Sequence, residues 1–447
     1  MSTVVAAAAV LALLAWCWVV GHGLLRLARA GAEAPETRHA LALVAGLLLG
    51  HLLLLLADLA GVPWTRATLL GGGAFALLAL AVPLRAAWRE RASAKALRWD
   101  WADVLALAAL AAFAISSLAL RSPFTDFVYH WGLKGHRFFL ARGIDAGFLA
   151  RPENEYLHPD YPNLLPDSYA AASLLAGRFD PRALMLFTPL FVLALLAVVR
   201  AALSSPAGRS ALEPFARRAI FAGLACALAA FCIGYLQAGS ADPPFALAVA
   251  LAADALLVRA GRASAIQLGL AAAFACAVKI EGVPFAALAI GAFVLRAVLH
   301  DRAALRAPAL WLALLAPTVL VTVPWALQVR ALALFQDTNT GSLDLASAGE
   351  VLAPLWRQTF VEEWLGLPLL LAALPWLAWT RATRWLGLLL LAQLGFYLFV
   401  YLSAPFDPTF YVLSTWPRLA LHLLPATVVG VALALAGDSL ETDAPSA

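Results

Sequence analysis

Charge is scarce in this sequence. Asp, Glu, Lys and Arg supply 13% of its 447 residues, against 63% hydrophobic, and the mean hydropathy is +0.84. A soluble domain carries roughly 25% charged residues, so a water-soluble globular fold is excluded. Cysteine is nearly absent too. Cys17, Cys226, Cys232 and Cys276 all lie in apolar stretches without metal-ligand spacing. That excludes a disulfide framework or a zinc module and leaves four small buried hydrophobes. The N-terminus has no basic n-region and no small-residue cleavage site, so a removed signal peptide is not expected. An internal repeat, a low-complexity linker and a Gly-rich nucleotide-binding motif are also missing. The formal charge of +4 does not point to nucleic acid, because basic residues in a multi-pass protein mark its cytoplasmic loops. No nucleic-acid partner is expected.

What the chain does have is apolar runs of the ~17–25 residues that cross a hydrocarbon core. They predict thirteen spans, at 3–25, 39–60, 67–87, 102–120, 183–200, 217–236, 241–258, 264–279, 282–299, 307–330, 364–380, 384–402 and 416–436. The predicted fold is all-α: one polytopic transmembrane helix bundle over 1–447, with 1–101 contributing N-terminal spans. Short turns inside 217–258 and 264–299 predict two tight hairpins. High alanine and leucine content favours helix and close packing. Alternate loops, beginning after the first span, hold 19 of the 31 basic residues, among them Arg26, Arg89, Lys95, Arg98, Arg209, Arg218, Arg259 and Arg302. Of the other twelve, seven sit in a single long loop. The basic side is therefore read as cytoplasmic, placing the protein in the inner (plasma) membrane with its N-terminus and long loop outside. Two extracytoplasmic segments, 121–182 and 331–363, are too polar to cross the membrane. Loops of that length are usually functional, and the first is expected to carry interfacial helices.

Four ionisable clusters fall on this outer side. On a helical wheel from 126, Asp126, His130, Lys134 and Arg137 share one face, and Tyr129 of the same segment is a further binding candidate. Phe127, Trp131 and Phe138 lie to one side, so the segment reads as a helix in the membrane interface, aromatics toward lipid and ionisable groups toward an aqueous cleft. A plain surface helix covering the bundle fits the same periodicity. Three prolines in eight residues stiffen the stretch around His158, Asp160 and Tyr161, whose side chains suit a sugar or phosphate, or form a structural turn. Asp242 precedes Pro243-Pro244 and is a natural N-cap; the same position would set its carboxylate beside the long loop. Lys279 and Glu281 sit in a turn between spans, where charge usually faces a cavity or a partner.

These segments resemble the GT-C superfamily of polyprenyl-phosphate-sugar-dependent glycosyltransferases, in the branch of aminoarabinose transferases and protein O-mannosyltransferases. The resemblance covers about 100–430. It rests on Thr125-Asp126 early in the long loop, His158-Pro-Asp-Tyr-Pro162, Gly239-Ser-Ala-Asp242-Pro, Lys279-Ile-Glu281-Gly282 and Trp416-Pro-Arg418-Leu-Ala-Leu-His422. It implies that Asp126 is the general base toward the acceptor, and that Lys279 and Arg418, ahead of Lys134 and Arg137, offset charge on the departing lipid phosphate. The implied partners are a polyprenyl-phosphate-linked sugar donor, a glycan, lipid or protein acceptor, and membrane lipids. The chain departs from the pattern in its extra N-terminal spans and in lacking an adjacent acidic pair beside Asp126. A single carboxylate makes a poor divalent site, so no cofactor is required, although a divalent metal stays open. A lipid-linked glycan polymerase or ligase, and a transporter or lipid flippase, are the rival readings.

Overall fold

A computed structural model describes residues 2–30, 34–92, 99–119, 126–235, 237–257, 261–336, 342–346, 348–361, 367–404 and 407–435. Lys95, Arg98, Thr125 and Arg259 lie outside the described residues. The helices are α1 Thr3–Leu27, α2 Pro35–Leu59, α3 Arg66–Ala79, α4 Ala81–Ala92, α5 Trp101–Ala119, α6 Gly132–Ala141, α7 Ala146–Leu149, α8 Leu164–Ala176, α9 Pro181–Leu184 and α10 Phe187–Leu203. They continue with α11 Pro206–Ala211, α12 Pro214–Gly234, α13 Asp242–Leu257, α14 Arg262–Val278, α15 Gly282–His300, α16 Pro308–Ala331, α17 Ala348–Trp356, α18 Leu367–Trp379, α19 Arg384–Ser403 and α20 Pro408–Ala434. Proline opens α2, α12, α16 and α20, a position where its missing N–H costs nothing.

Among the described residues nine helical segments are long and apolar enough to cross a bilayer, which makes this a multi-pass membrane protein. The expected thirteen is reduced in identifiable places. The run at 67–87 is broken at Leu80, where α3 and α4 meet at 63°. α13, with 16 residues, rises about 24 Å and is sheathed by other helices. α14 has 17 residues, and the described part of α18 has 13. One expected hairpin is absent: α12 packs on α5, while α13 packs on α14, α20 and α10. The α14–α15 hairpin is present.

The largest apolar cluster runs from Val10 to Ala434, with Phe245 through Ala253 of α13 at its centre. α1 and α2 approach so closely that a Cβ on Gly46 would sit 1.8 Å from the Cys17 carbonyl oxygen, the small-residue contact that lets membrane helices pack. The cysteines behave as expected, three buried and Cys226 half-buried, all unpaired. At one end of the bundle Arg200 of α10 reaches Asp103 of α5 at 2.6 Å and Glu36 of α2 at 2.8 Å, and Arg218 of α12 reaches Asp100 at 2.7 Å. At the other end the long loop is tied on, with Asp58 accepting the Ile144 amide at 2.8 Å.

The described part of that loop is folded. A π-helical turn, Phe127–Trp131, leads into α6, and a 3-10 turn, Pro152–Leu157, precedes α8. Phe127, Trp131 and Phe138 do not face lipid. All three are buried, against Tyr169 at 5.4 Å, Tyr161 at 6.0 Å and Trp64 at 6.2 Å between ring centroids. α8, which packs along α6, covers Phe127 through Tyr169, while Tyr161 just before α8 and Trp64 just before α3 cover the other two.

Candidate functional site

The π turn decides where the ionisable groups of this segment point. An i→i+5 turn holds an extra residue, so the register beyond Trp131 is rotated from the helical wheel. Asp126 and His130 stay on the bundle side, whereas Lys134 and Arg137 turn elsewhere. Phe127, beside Asp126, is seated by Gly239: a Cβ there would lie 2.4 Å from the Phe127 ring, and Gly239 has φ +82°, a backbone region that favours glycine. Thr188 fixes the turn by accepting the Gly239 amide at 2.7 Å.

Asp242 opens α13 and is fully buried. Its carboxylate is engaged by side chains from one other helix, α20, and from the turn between α14 and α15 rather than spent on a cap. Lys279 Nζ donates to Oδ1 at 3.0 Å, Arg418 Nε donates to Oδ2 at 2.7 Å, and His422 Nε2 lies 3.1 Å from Oδ1. Tyr397 Oη sits 2.8 Å from His422 Nδ1. The two outer guanidinium nitrogens of Arg418 face Asp126 as a fork, one of them 3.4 Å from Oδ1. Lys279 also approaches Glu281 at 3.3 Å. The result is a chain of alternating sign, Asp126–Arg418–Asp242–Lys279–Glu281. Burial on this scale is tolerated only when each charge has such partners. Asp126 is 8% exposed, and burial holds its carboxyl above the ordinary range, opposed mainly by Arg418.

This network forms one wall of a cavity of about 1050 Å³. His130, His158, Asp160 and Tyr161 join the polar wall; Val283, Phe396, Phe399, Val400 and Phe410 make the facing one. Phe399 and Phe410 are 43% and 72% exposed, so the apolar wall is continuous with the outside of the bundle. A charged floor and an apolar open side suit an amphiphile with an ionic head.

Of the sequence-predicted residues, Asp126, His130, His158, Asp160, Tyr161, Lys279, Glu281 and Arg418 line the cavity, and Asp242 is sealed behind it. Three stand apart. Tyr129 is half exposed, against Tyr156. Arg137 pairs with Asp145 at 2.5 Å and stacks over Phe148. Lys134 is completely buried and donates to the carbonyls of His158 at 3.1 Å and Tyr161 at 3.4 Å. It holds the loop that presents those residues. Burial pushes Lys134 down to about 7, against the pull of Asp160 and Asp167. His130 is pushed down to about 3 by burial and then by His158, so it is a neutral wall group.

Sequence reasoning left His422 out of the candidate set, although its spacing from Arg418 puts both on one face of α20. It also missed Tyr397, which carried no signal, and the pair His51–Asp167. His51 did carry one: it is an ionisable group within an apolar run. Among the described residues no three His, Cys, Asp or Glu side chains converge as metal ligands; the carboxylates of Asp126 and Asp242 are bridged by a guanidinium instead. Comparison with family models, characterised proteins and solved structures returns no match.

Proposed function

We propose that this chain is a membrane glycosyltransferase that moves a sugar from a polyprenyl-phosphate donor to an acceptor hydroxyl or amine on the extracytoplasmic side. The observation that carries the reading is Arg418 held between Asp126 and Asp242 on the floor of a cavity whose other wall is apolar and open. A lipid tail would lie along Phe399 and Phe410, with its phosphate near Lys279 and Arg418. Asp126 accepts the acceptor's proton as oxygen or nitrogen bonds to the anomeric carbon. The bond from that carbon to the phosphate oxygen breaks, and the charge left on the lipid phosphate is met by Lys279 and Arg418. Burial, which makes Asp126 more basic than a surface carboxylate, favours that proton transfer. Asp242 keeps the two cations in place.

Replacing Asp126 with Asn keeps the shape and removes the base. Transfer should fall by at least about a hundredfold, measured by mass analysis of lipid-linked glycans and their acceptors from cells expressing either form at equal level. Full transfer by the Asn variant would remove Asp126 as the base. Movement of lipid or solute in proteoliposomes without sugar transfer would replace the transferase reading with a transporter.

A further inference from the structure

Behind the cavity lies a smaller chamber of about 200 Å³ that shares Asp160, Ile280, Val283 and Gln336 with it. α2 and α16 supply its far walls, through His51 and through Val321, Trp325 and Val329. His51 and Asp167 are 4% and 1% exposed, and His51 Nδ1 lies 2.6 Å from Asp167 Oδ2. That contact fixes the imidazole and leaves Nε2 as its second polar atom, on a ring that lines the chamber. Trp325 donates its indole N–H to the Asp160 carbonyl at 2.8 Å, which locks the indole into the wall.

We propose that this chamber is a binding subsite for one polyhydroxylated ring, with His51 recognising a ring hydroxyl and Asp167 holding His51 in position. The size matches: at roughly 30 Å³ per water, the space is that of six or seven waters, enough for one sugar ring and too little for two. The chemistry matches as well. A sugar ring has an apolar C–H face, which Trp325, Ile280 and Val329 can meet, and a hydroxyl rim, which His51 and Gln336 can meet from the same lining. An isoprenoid tail would strip water from His51 and Asp160 and return no hydrogen bond. His51 lies eight residues inside the end of α2, about 12 Å along the axis, a depth at which ionisable groups are costly and tend to serve function. The transferase reading enters only in naming two sources for the ring, donor and acceptor.

Calorimetry on the full chain in lipid nanodiscs tests this with three probes: a polyprenyl phosphate, the same lipid phosphate carrying a hexose or pentose, and a panel of methyl glycosides. Three variants are compared: His51→Ala, His51→Gln, and Ala277→Leu, which fills the chamber from a lining position that is not itself a member of the ion network. In the wild type the sugar-bearing lipid should bind about tenfold tighter than the bare lipid phosphate, the scale of one buried hydrogen bond. His51→Ala and Ala277→Leu should abolish either that gain or the binding of the methyl glycosides, and leave the bare lipid within about twofold of its wild-type affinity. His51→Gln should restore part of the gain. A His51–Asp167 contact that merely ties α2 to α8 would instead lower the unfolding temperature and leave the sugar increment intact. Loss confined to the methyl glycosides assigns the ring to the acceptor; loss of the donor gain assigns it to the donor. Sugar binding unchanged in Ala277→Leu and His51→Gln, or no sugar binding across the panel, overturns the subsite. Failure of the bare lipid phosphate to bind the wild type would sink the transferase reading, and the glycoside arm would still judge the chamber.

Discussion

Asp126 and Arg418 are 292 positions apart and meet as a fork-to-carboxylate pair. Burial raises the Asp126 carboxyl and Arg418 pulls it back, so Arg418→Gln should have two effects. kcat should drop about a hundredfold or more, as for loss of one charge-stabilising donor. The acid limb of the kcat/KM profile should also move to higher pH, because the base becomes harder to ionise without the guanidinium. A limb that moves down, or stays, would show that another group sets it. Lys134 gives a prediction about stability. Its folded value, about 7, lies below the ordinary 10.5, so the unfolded chain binds more protons between those values. Stability should then rise as pH climbs from about 7 to 10.5, by up to a few kcal/mol. Lys134→Met should flatten that rise in thermal unfolding scans in detergent; an unchanged slope would mean the proton is taken up elsewhere. Residue chemistry of this kind was half legible in the sequence. Asp126, Lys279 and Arg418 stand out as charges in an apolar chain, but which pair meets depends on helix packing that no local spacing encodes. Lys134 shows the failure: it shares a helical-wheel face with Asp126, yet serves as an internal brace.

At the scale of elements, apolar length located most helices and left their packing unread. α13 reads as a span because every side of it is apolar, and every side is apolar because other helices surround it. The bend between α3 and α4 lies at Leu80, where hydropathy alone shows no break, although Pro83 three residues further on marks one. The π turn was hidden, and its support comes from far away: Phe127 is seated where Gly239 has no side chain. Gly239→Ala would put a Cβ into that ring at a backbone angle that disfavours any L side chain. The expected cost is about 1–3 kcal/mol in unfolding free energy. Catalysis should fall further than stability, since the displaced Phe127 carries Asp126 with it. Thermal unfolding and transfer rate measured on the same preparation separate the two. A variant with normal transfer would show that the turn tolerates the shift and that Asp126 is positioned by Arg418 alone.

The whole molecule has two chemically distinct ends. Arg200, Arg218, Glu36, Asp100 and Asp103 knit four helices at one end, with Arg209 nearby on α11; the folded loop, the cavity and the ion network occupy the other. The sequence expectation puts the first end in the cytoplasm, and the proposed donor chemistry requires the second to face away from it. Side-specific labelling decides this directly. In a background with Cys17, Cys226, Cys232 and Cys276 replaced by alanine, a single cysteine at Tyr129 or Tyr156, both about half exposed, should react with a membrane-impermeant maleimide on intact cells. A cysteine at Arg209, exposed at the opposite end, should react only after the cells are opened. The reverse pattern would put the cavity on the side where Lys and Arg normally accumulate. Asp126 could then no longer serve an extracytoplasmic acceptor, and the transferase proposal would fail on orientation even with its ion network intact.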